Sequence, residues 1–228
     1  MFFLSNTVSN KTVNATIYNM PLEYFNNVRH DAIALLGDDF HQTCLEVGCG
    51  TGNTLGYLKE KKQIGHAVGL EVVDSCRESK HKNIDEFIVA NAEDWDFLGR
   101  KYNLILLLDV VEHLKWPYEF LQKCCLHVEE NGHIIVSLPN INNLRILKNL
   151  ICLDRFEYAT SGLLDVTHLR FFTKTTFLEQ MSKQVPKLQL QKISYNFEDL
   201  PAVGLFKWIP FINKFFICQY VFKFKILK

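Results

Sequence analysis

Residues 45–53, LEVGCGTGN, set an acidic side chain and three alternate glycines directly after a short apolar run. A strand ending in Glu46, then Gly48, Gly50 and Gly52, then a helix, presents bare backbone at a strand-to-helix turn. A nucleotide-sized ligand can lie against such a turn, close to the helix N-terminus. In a dinucleotide fingerprint another glycine would follow Gly50 three residues on; Asn53 stands there, which counts against a nicotinamide dinucleotide. Taken alone, the loop also suits a tight turn with close helix packing. Glu46 would repel a pyrophosphate but suits a ligand carrying an ammonium group. Glu71 closes the next apolar run about 20 residues further on, where a carboxylate accepts from ribose hydroxyls.

Around this loop, apolar runs rich in β-branched residues alternate with amphipathic stretches, the pattern of a parallel sheet covered by helices. Strands are expected at Thr43–Val47, Ala67–Glu71, Glu86–Val89, Tyr102–Leu108 and His133–Leu138, several without polar alternation, as burial on both faces requires. Helices are expected at Asn53–Lys61, Asp74–Lys80 and Pro117–Val128, with a turn at Glu130-Asn131-Gly132. A helix over Asn142–Ile151 then leads into an irregular, aromatic passage, Cys152–Phe172, that reads as a lid. Thr173 is a good N-cap for a helix through Phe177 to Ser182, and strands at Leu188–Phe197 and Cys218–Phe224 follow.

With 228 residues, 48% of them hydrophobic, the chain can close one core and is expected to form a single domain over 1–228. Its parts are an N-terminal helical cap (1–40), a ligand-binding core (43–138), a lid (141–172) and a closing helix and strand pair (173–228). Lys and Arg number 25 against 25 Asp and Glu, which argues against broad capture of nucleic acid. The seven cysteines form no CxxC pair and suit reduced thiols and a cytoplasmic setting. Met1 to Leu4 is too short for a signal core, and no apolar run approaches the roughly 20 residues of a membrane span. After Asp199 there are five lysines and no acid, so GLFKWIPFINKFF is also compatible with peripheral contact with a membrane surface. Strand pairing accounts better for the stretch CQYVFKFKIL. No residue pattern speaks to oligomeric state.

The motifs LEVGCGTG, GLEVVD, VANAEDWDF, YNLILLLDVVEHL and SLPN, in that order and spacing, resemble those of class I S-adenosylmethionine-dependent methyltransferases from about Tyr24 onward. The resemblance implies a Rossmann-like α/β fold, with a seven-stranded, mostly parallel sheet, an antiparallel last strand and helices on both faces. It implies S-adenosylmethionine as cofactor, with Glu46, Gly48, Cys49, Gly50 and Gly52 around its methionine part, Glu71 on the ribose, Asn91 and Ala92 facing the adenine, and Leu108 touching it through backbone. The family often has Asp at the position of Asn91; an amide oxygen still accepts from an amino group. Tyr24 and Arg29 lie where members fold an N-terminal segment over the cofactor, although an amphipathic helix with Phe25, Val28, Ile33 and Leu36 inward explains this segment equally well.

Methyl transfer to a hydroxyl needs a held nucleophile, exclusion of water and a base or metal to take the proton. Asp109, Glu112 and His113 in DVVEHL are spaced to share one face of a helical turn. His168 is the distant partner, because GLLDVTHLRFFT resembles a segment of bacterial methyltransferases associated with surface-glycan biosynthesis. These four are the candidate catalytic residues; the alternative pairs His168 with Asp165 or Arg170 and packs His113 beneath the lid. A similar Glu/Glu-His plus distant His set holds a divalent metal in small-RNA ribose methyltransferases, with Asp109 standing where they have their first Glu. Two carboxylates and two imidazoles suit manganese, iron, cobalt or zinc better than magnesium. The expected activity is O-methylation of a small or carrier-linked sugar, with phenolic or quinone-type rings, or binding of S-adenosylmethionine without turnover, as alternatives. An RNA acceptor lacks the basic surface it needs. The other histidines, His30, His41, His66, His81, His127 and His133, match no constellation and are expected at the surface.

Overall fold

Leu104 to Leu108 is apolar at every position, so a strand there must bury both faces, and in the computed structural model it does. The structure describes residues 25–198, 208, 209 and 211–227; Tyr24 and Lys207 lie outside them. Among the described residues, seven strands form one sheet: β1 (His41–Val47), β2 (Ile64–Glu71), β3 (Glu86–Val89), β4 (Tyr102–Leu108), β5 (Val128–Pro139), β6 (Leu188–Phe197) and β7 (Ile217–Ile226), in the order β3-β2-β1-β4-β5-β7-β6. β1 to β5 pair in parallel, and β7 lies antiparallel between β5 and β6.

Alternation along β4 divides the core. Ile105 and Leu107 face one side with Phe97, Phe120, Phe177 and Phe222, whereas Leu104, Leu106 and Leu108 face the other with Leu35, Leu36, Leu55 and Leu58. Each such side chain stabilises the fold by about 1.5–3 kcal/mol relative to exposure. The helices covering the sheet are a single turn, α1 (His30–Ile33), then α2 (Asn53–Glu60), α3 (Pro117–Leu126), α4 (Leu144–Leu153) and α5 (Lys174–Gln184). Pro117 starts α3, where its missing N–H costs nothing. Thr173 caps α5 as expected, its hydroxyl accepting from the Thr176 amide at 3.3 Å.

Two local expectations change. The helix expected over Asp74–Lys80 is one 3-10 turn, Asp74–Cys76, because this polar stretch has little apolar face to bury. The turn expected before the fifth strand is a bulge inside a longer one: Asn131 is left-handed at φ 64°, and the register jumps from Tyr102↔Val128 to Leu104↔His133. Among the described residues no helix is long and apolar enough to cross a membrane, and all seven cysteines are free.

Between β1 and β4 the chain order reverses direction across the sheet, the switch point where open α/β sheets bind ligands beyond their strand ends. Glu46, Glu71 and Leu108 all stand at or next to such an end.

Candidate active site

The glycine loop is closed from above by the segment before α1. The Thr51 amide donates to the Phe25 carbonyl at 3.3 Å, and the Thr51 hydroxyl to Asn26 Oδ1 at 2.7 Å. Gly50 is left-handed at φ 54°, and a Cβ there would stand 2.8 Å from the Phe25 carbonyl oxygen. Gly52, at φ 77°, opens α2, and a Cβ there would meet Ile84 at 2.0 Å. A cavity of about 490 Å³ lies beside the loop, lined by Glu46, Gly48, Cys49, Gly50, Glu71, Asn91, Ala92 and Leu108. Every residue expected at the cofactor except Gly52 therefore borders one space; Gly52 serves helix packing instead.

Charge is distributed unevenly along this wall. Glu46 is buried, its Oε2 has no hydrogen-bond partner, and burial pushes its carboxyl up to about 8 despite the opposing pull of Arg29. Glu71 is satisfied: the Gly50 amide donates to Oε2 at 2.8 Å, and the Val72 and Val73 amides donate to Oε1 at 2.8 and 3.0 Å. Its carboxylate braces the loop while retaining lone pairs toward the cavity. Asn91 Oδ1 accepts from the Glu93 amide at 2.9 Å, which fixes the turn that carries Ala92.

Arg29 completes the lining of this cavity. Its guanidinium donates to Asp109, to both oxygens of Asp31 (3.0 and 2.7 Å) and to Gln219 Oε1 (2.8 Å). Burial opposes its charge, but Asp109 and Asp31 outweigh that penalty and hold it protonated. Asp109, left-handed at φ 58°, also accepts from the Ser137 hydroxyl at 2.8 Å and from the Gln219 amide. Its carboxylate is thus engaged by Arg29, Ser137 and Gln219, while it still borders the same cavity as Glu112, His113 and His168.

Glu112, His113 and His168 do come together: one potential ligand atom from each lies within 4.8 Å of the others, and Asp109 is not in the group. Val111–His113 forms a 3-10 turn after β4, and the Leu169 and Arg170 amides donate to the Glu112 carbonyl at 2.8 and 3.0 Å, clipping the 141–172 segment onto it. His113 Nδ1 lies 3.2 Å from the Thr167 carbonyl, and His168 Nδ1 lies 3.3 Å from the Leu163 carbonyl. A carbonyl only accepts, so each Nδ1 carries the hydrogen and each neutral ring keeps a lone pair on Nε2. Burial lowers both imidazole pKa values, favouring those neutral rings. The Thr167 hydroxyl, 3.1 Å from His113 Nδ1, donates to Asp165 Oδ1 at 2.6 Å. Glu112 is buried with an unpartnered Oε2, and burial followed by repulsion from Asp109 pushes its carboxyl well above the usual range.

A second cavity of about 860 Å³ lies on the other side of this turn, lined by Asp109, Glu112, His113, Asp165, His168, Asn196, Glu198, Gln219, Arg145 and Lys148. Asp109 and His113 border both cavities. Sequence reading underused Arg29 and missed Gln219 and Thr167. A glutamine inside the otherwise apolar stretch 217–222 of β7 is the one signal that marked Gln219. Trp95 belongs to the core, and Phe156 and Tyr158 are exposed. His41, expected at the surface, is buried at the start of β1, edge-on to His133 at 5.7 Å.

A class I methyltransferase fold, with its ligand cavity at the sheet's switch point, is what these elements define. The description "Methyltransferase domain" matches residues 21–184, and the chain belongs to that family. It is 23% identical over 145 residues to (S)-tetrahydroprotoberberine N-methyltransferase of Eschscholzia californica, covering 60% of this chain and 40% of the relative. Malonyl-[acyl-carrier protein] O-methyltransferase of Haemophilus ducreyi is 25% identical over 134 residues, covering 54% and 52%. The chain thus spans about half or less of these relatives' lengths. Among solved structures, a SAM-dependent methyltransferase from Archaeoglobus fulgidus superposes with TM-score 0.60 at 14% identity, covering 95% of this chain and all of that one. N-methyltransferase NodS from Bradyrhizobium japonicum, in complex with S-adenosyl-L-homocysteine, gives 0.61 at 11% identity, covering 96% and 98%. At such identities the likeness bears on the fold.

Proposed function

We propose that this S-adenosylmethionine-dependent methyltransferase methylates a hydroxyl oxygen of a sugar or glycan-related small molecule, free or carrier-linked. The observation that carries this reading is His113, a neutral imidazole with its Nδ1 tied to backbone, standing in the wall common to both cavities. S-adenosylmethionine, when bound, supplies a methyl group on a positively charged sulfur. Glu46 offers its unpartnered oxygen to the cofactor's ammonium, and Glu71 keeps acceptor capacity for ribose hydroxyls. During methyl transfer to an acceptor hydroxyl, His113 Nε2 would take the hydroxyl proton. Leu114, buried beside His113, gives that side of the cavity an apolar wall. The acidic and amide groups of the second cavity suit a polyol better than a flat apolar ring.

A labelled-methyl assay over sugars, carrier-linked sugars, phenols and amines tests the reading. Label on a sugar hydroxyl is expected, with His113→Ala slowing turnover by about 10²- to 10⁴-fold at unchanged donor affinity. Label confined to phenols or amines, or wild-type turnover in His113→Ala, overturns it.

A second reading, favoured by the clustering of Glu112, His113 and His168 with one ligand atom each within 4.8 Å of the others, and by His168 Nε2 lying 4.0 Å from Glu112 Oε1, places a divalent cation on these three residues. One carboxylate and two imidazoles suit manganese, iron, cobalt or zinc, and such a cation would lower the pKa of an acceptor hydroxyl. Cobalt titration of the dialysed protein should then give a visible absorption band that His168→Ala abolishes; no band, with activity that survives a chelator, rules the cation out.

A further inference from the structure

Helix α4 is strongly two-sided, yet its apolar face is poorly covered. Of its six apolar residues other than cysteine, only Ile146 is buried, while Leu144, Leu150, Leu153 and Ile151 (76%) are exposed. An amphipathic helix on a globular domain normally spends that face on the core. The Asn143 side chain donates to the Ile217 carbonyl at 3.3 Å and that of Asn140 to the Lys214 carbonyl at 3.0 Å, which ties the start of α4 to the segment before β7. That segment exposes Trp208 and Phe211, both at 79%. The Lys214 ammonium lies 4.8 Å and 5.0 Å from the ring centroids of Phe211 and Phe215, a cation held over aromatic bodies.

We propose that the open face of α4, together with Trp208, Ile209 and residues 211–215, docks on an anionic lipid bilayer. Charge decides between this occupant and a second copy of the chain. The cations of the patch are Arg145, Lys148 and Lys214, and neither α4 nor residues 208–227 contain an acidic residue; the acids beside the patch are Asp154, which ends the helix, and Glu198, whose amide donates to the Phe216 carbonyl at 2.9 Å, so the cations outnumber them. A two-fold interface on this patch would set like charges against each other. Anionic headgroups attract them, while Trp and Phe favour the boundary between headgroups and acyl chains. The second cavity is lined by Leu144, Arg145 and Lys148 of the same helix, so its mouth would open beside the lipid.

The test needs no methyl donor, so it stands or falls apart from the methyl-transfer reading. The full chain is sedimented with vesicles of phosphatidylcholine alone and of phosphatidylcholine mixed with phosphatidylglycerol, at low and high salt. Binding to the anionic vesicles that weakens with salt is expected. Ile151→Glu combined with Phe211→Glu should reduce it about tenfold or more, whereas Leu126→Glu, an exposed apolar residue at the end of α3, should not. Ile151→Ser with Phe211→Ser, which adds no charge, should give an intermediate loss at an unchanged melting temperature. No association with vesicles, equal association with neutral ones, full binding by both double variants, or a dimer that Ile151→Glu dissociates without any lipid binding would each overturn the proposal.

Discussion

Glu46 concentrates the chemistry of the donor cavity in one side chain. Its carboxyl is held near 8 by burial, so most free protein carries it protonated at neutral pH, whereas a cationic ligand binds the ionised form. Donor binding should therefore release a proton, and affinity should fall by up to about tenfold per pH unit below that value. Glu46→Gln should bind weakly with a flat pH profile; calorimetry in two buffers of different ionisation enthalpy counts the proton. Gly50→Val should abolish binding, because its new side chain meets the Phe25 carbonyl. Glu46 and Glu71 were legible in sequence because an acid closing an apolar strand has no place in a core and so marks a site. The partnership of Asp109 with Gln219 was not, since it joins residues far apart in the chain through sheet order alone.

Elements built on burial were the ones the sequence displayed best. The central strands announced themselves by lacking polar alternation, and α5 by its cap and by Phe177, which packs against Phe172, Phe222 and Phe224. Phe177→Ala should cost about 3–5 kcal/mol, measured by urea unfolding. Short polar stretches such as 74–80 misled because propensity alone does not hold a helix. At the opposite rim, His133 at the bulged part of β5 is lowered from 6.5 to about 4 by burial, then by Lys223 and His41, with Asp39 opposing and Lys225 adding. The unfolded chain binds the extra proton between those values, so stability is full above pH 6.5 and falls toward pH 4. His133→Phe should flatten that part of a urea-midpoint profile.

At the scale of the molecule, the sequence foretold a closing antiparallel pair, and the structure adds the order in which it must close. Among the described residues β7 comes after β6 in sequence yet is not at the margin of the sheet; it is wedged between β5 and β6. During synthesis, β6 leaves the ribosome with nothing to pair with, and the flank of β5 stays bare until β7 arrives to join both. A chain halted after residue 198 should therefore emerge as a sticky fragment, pelleting with chaperones or itself, rather than as a slightly shortened domain.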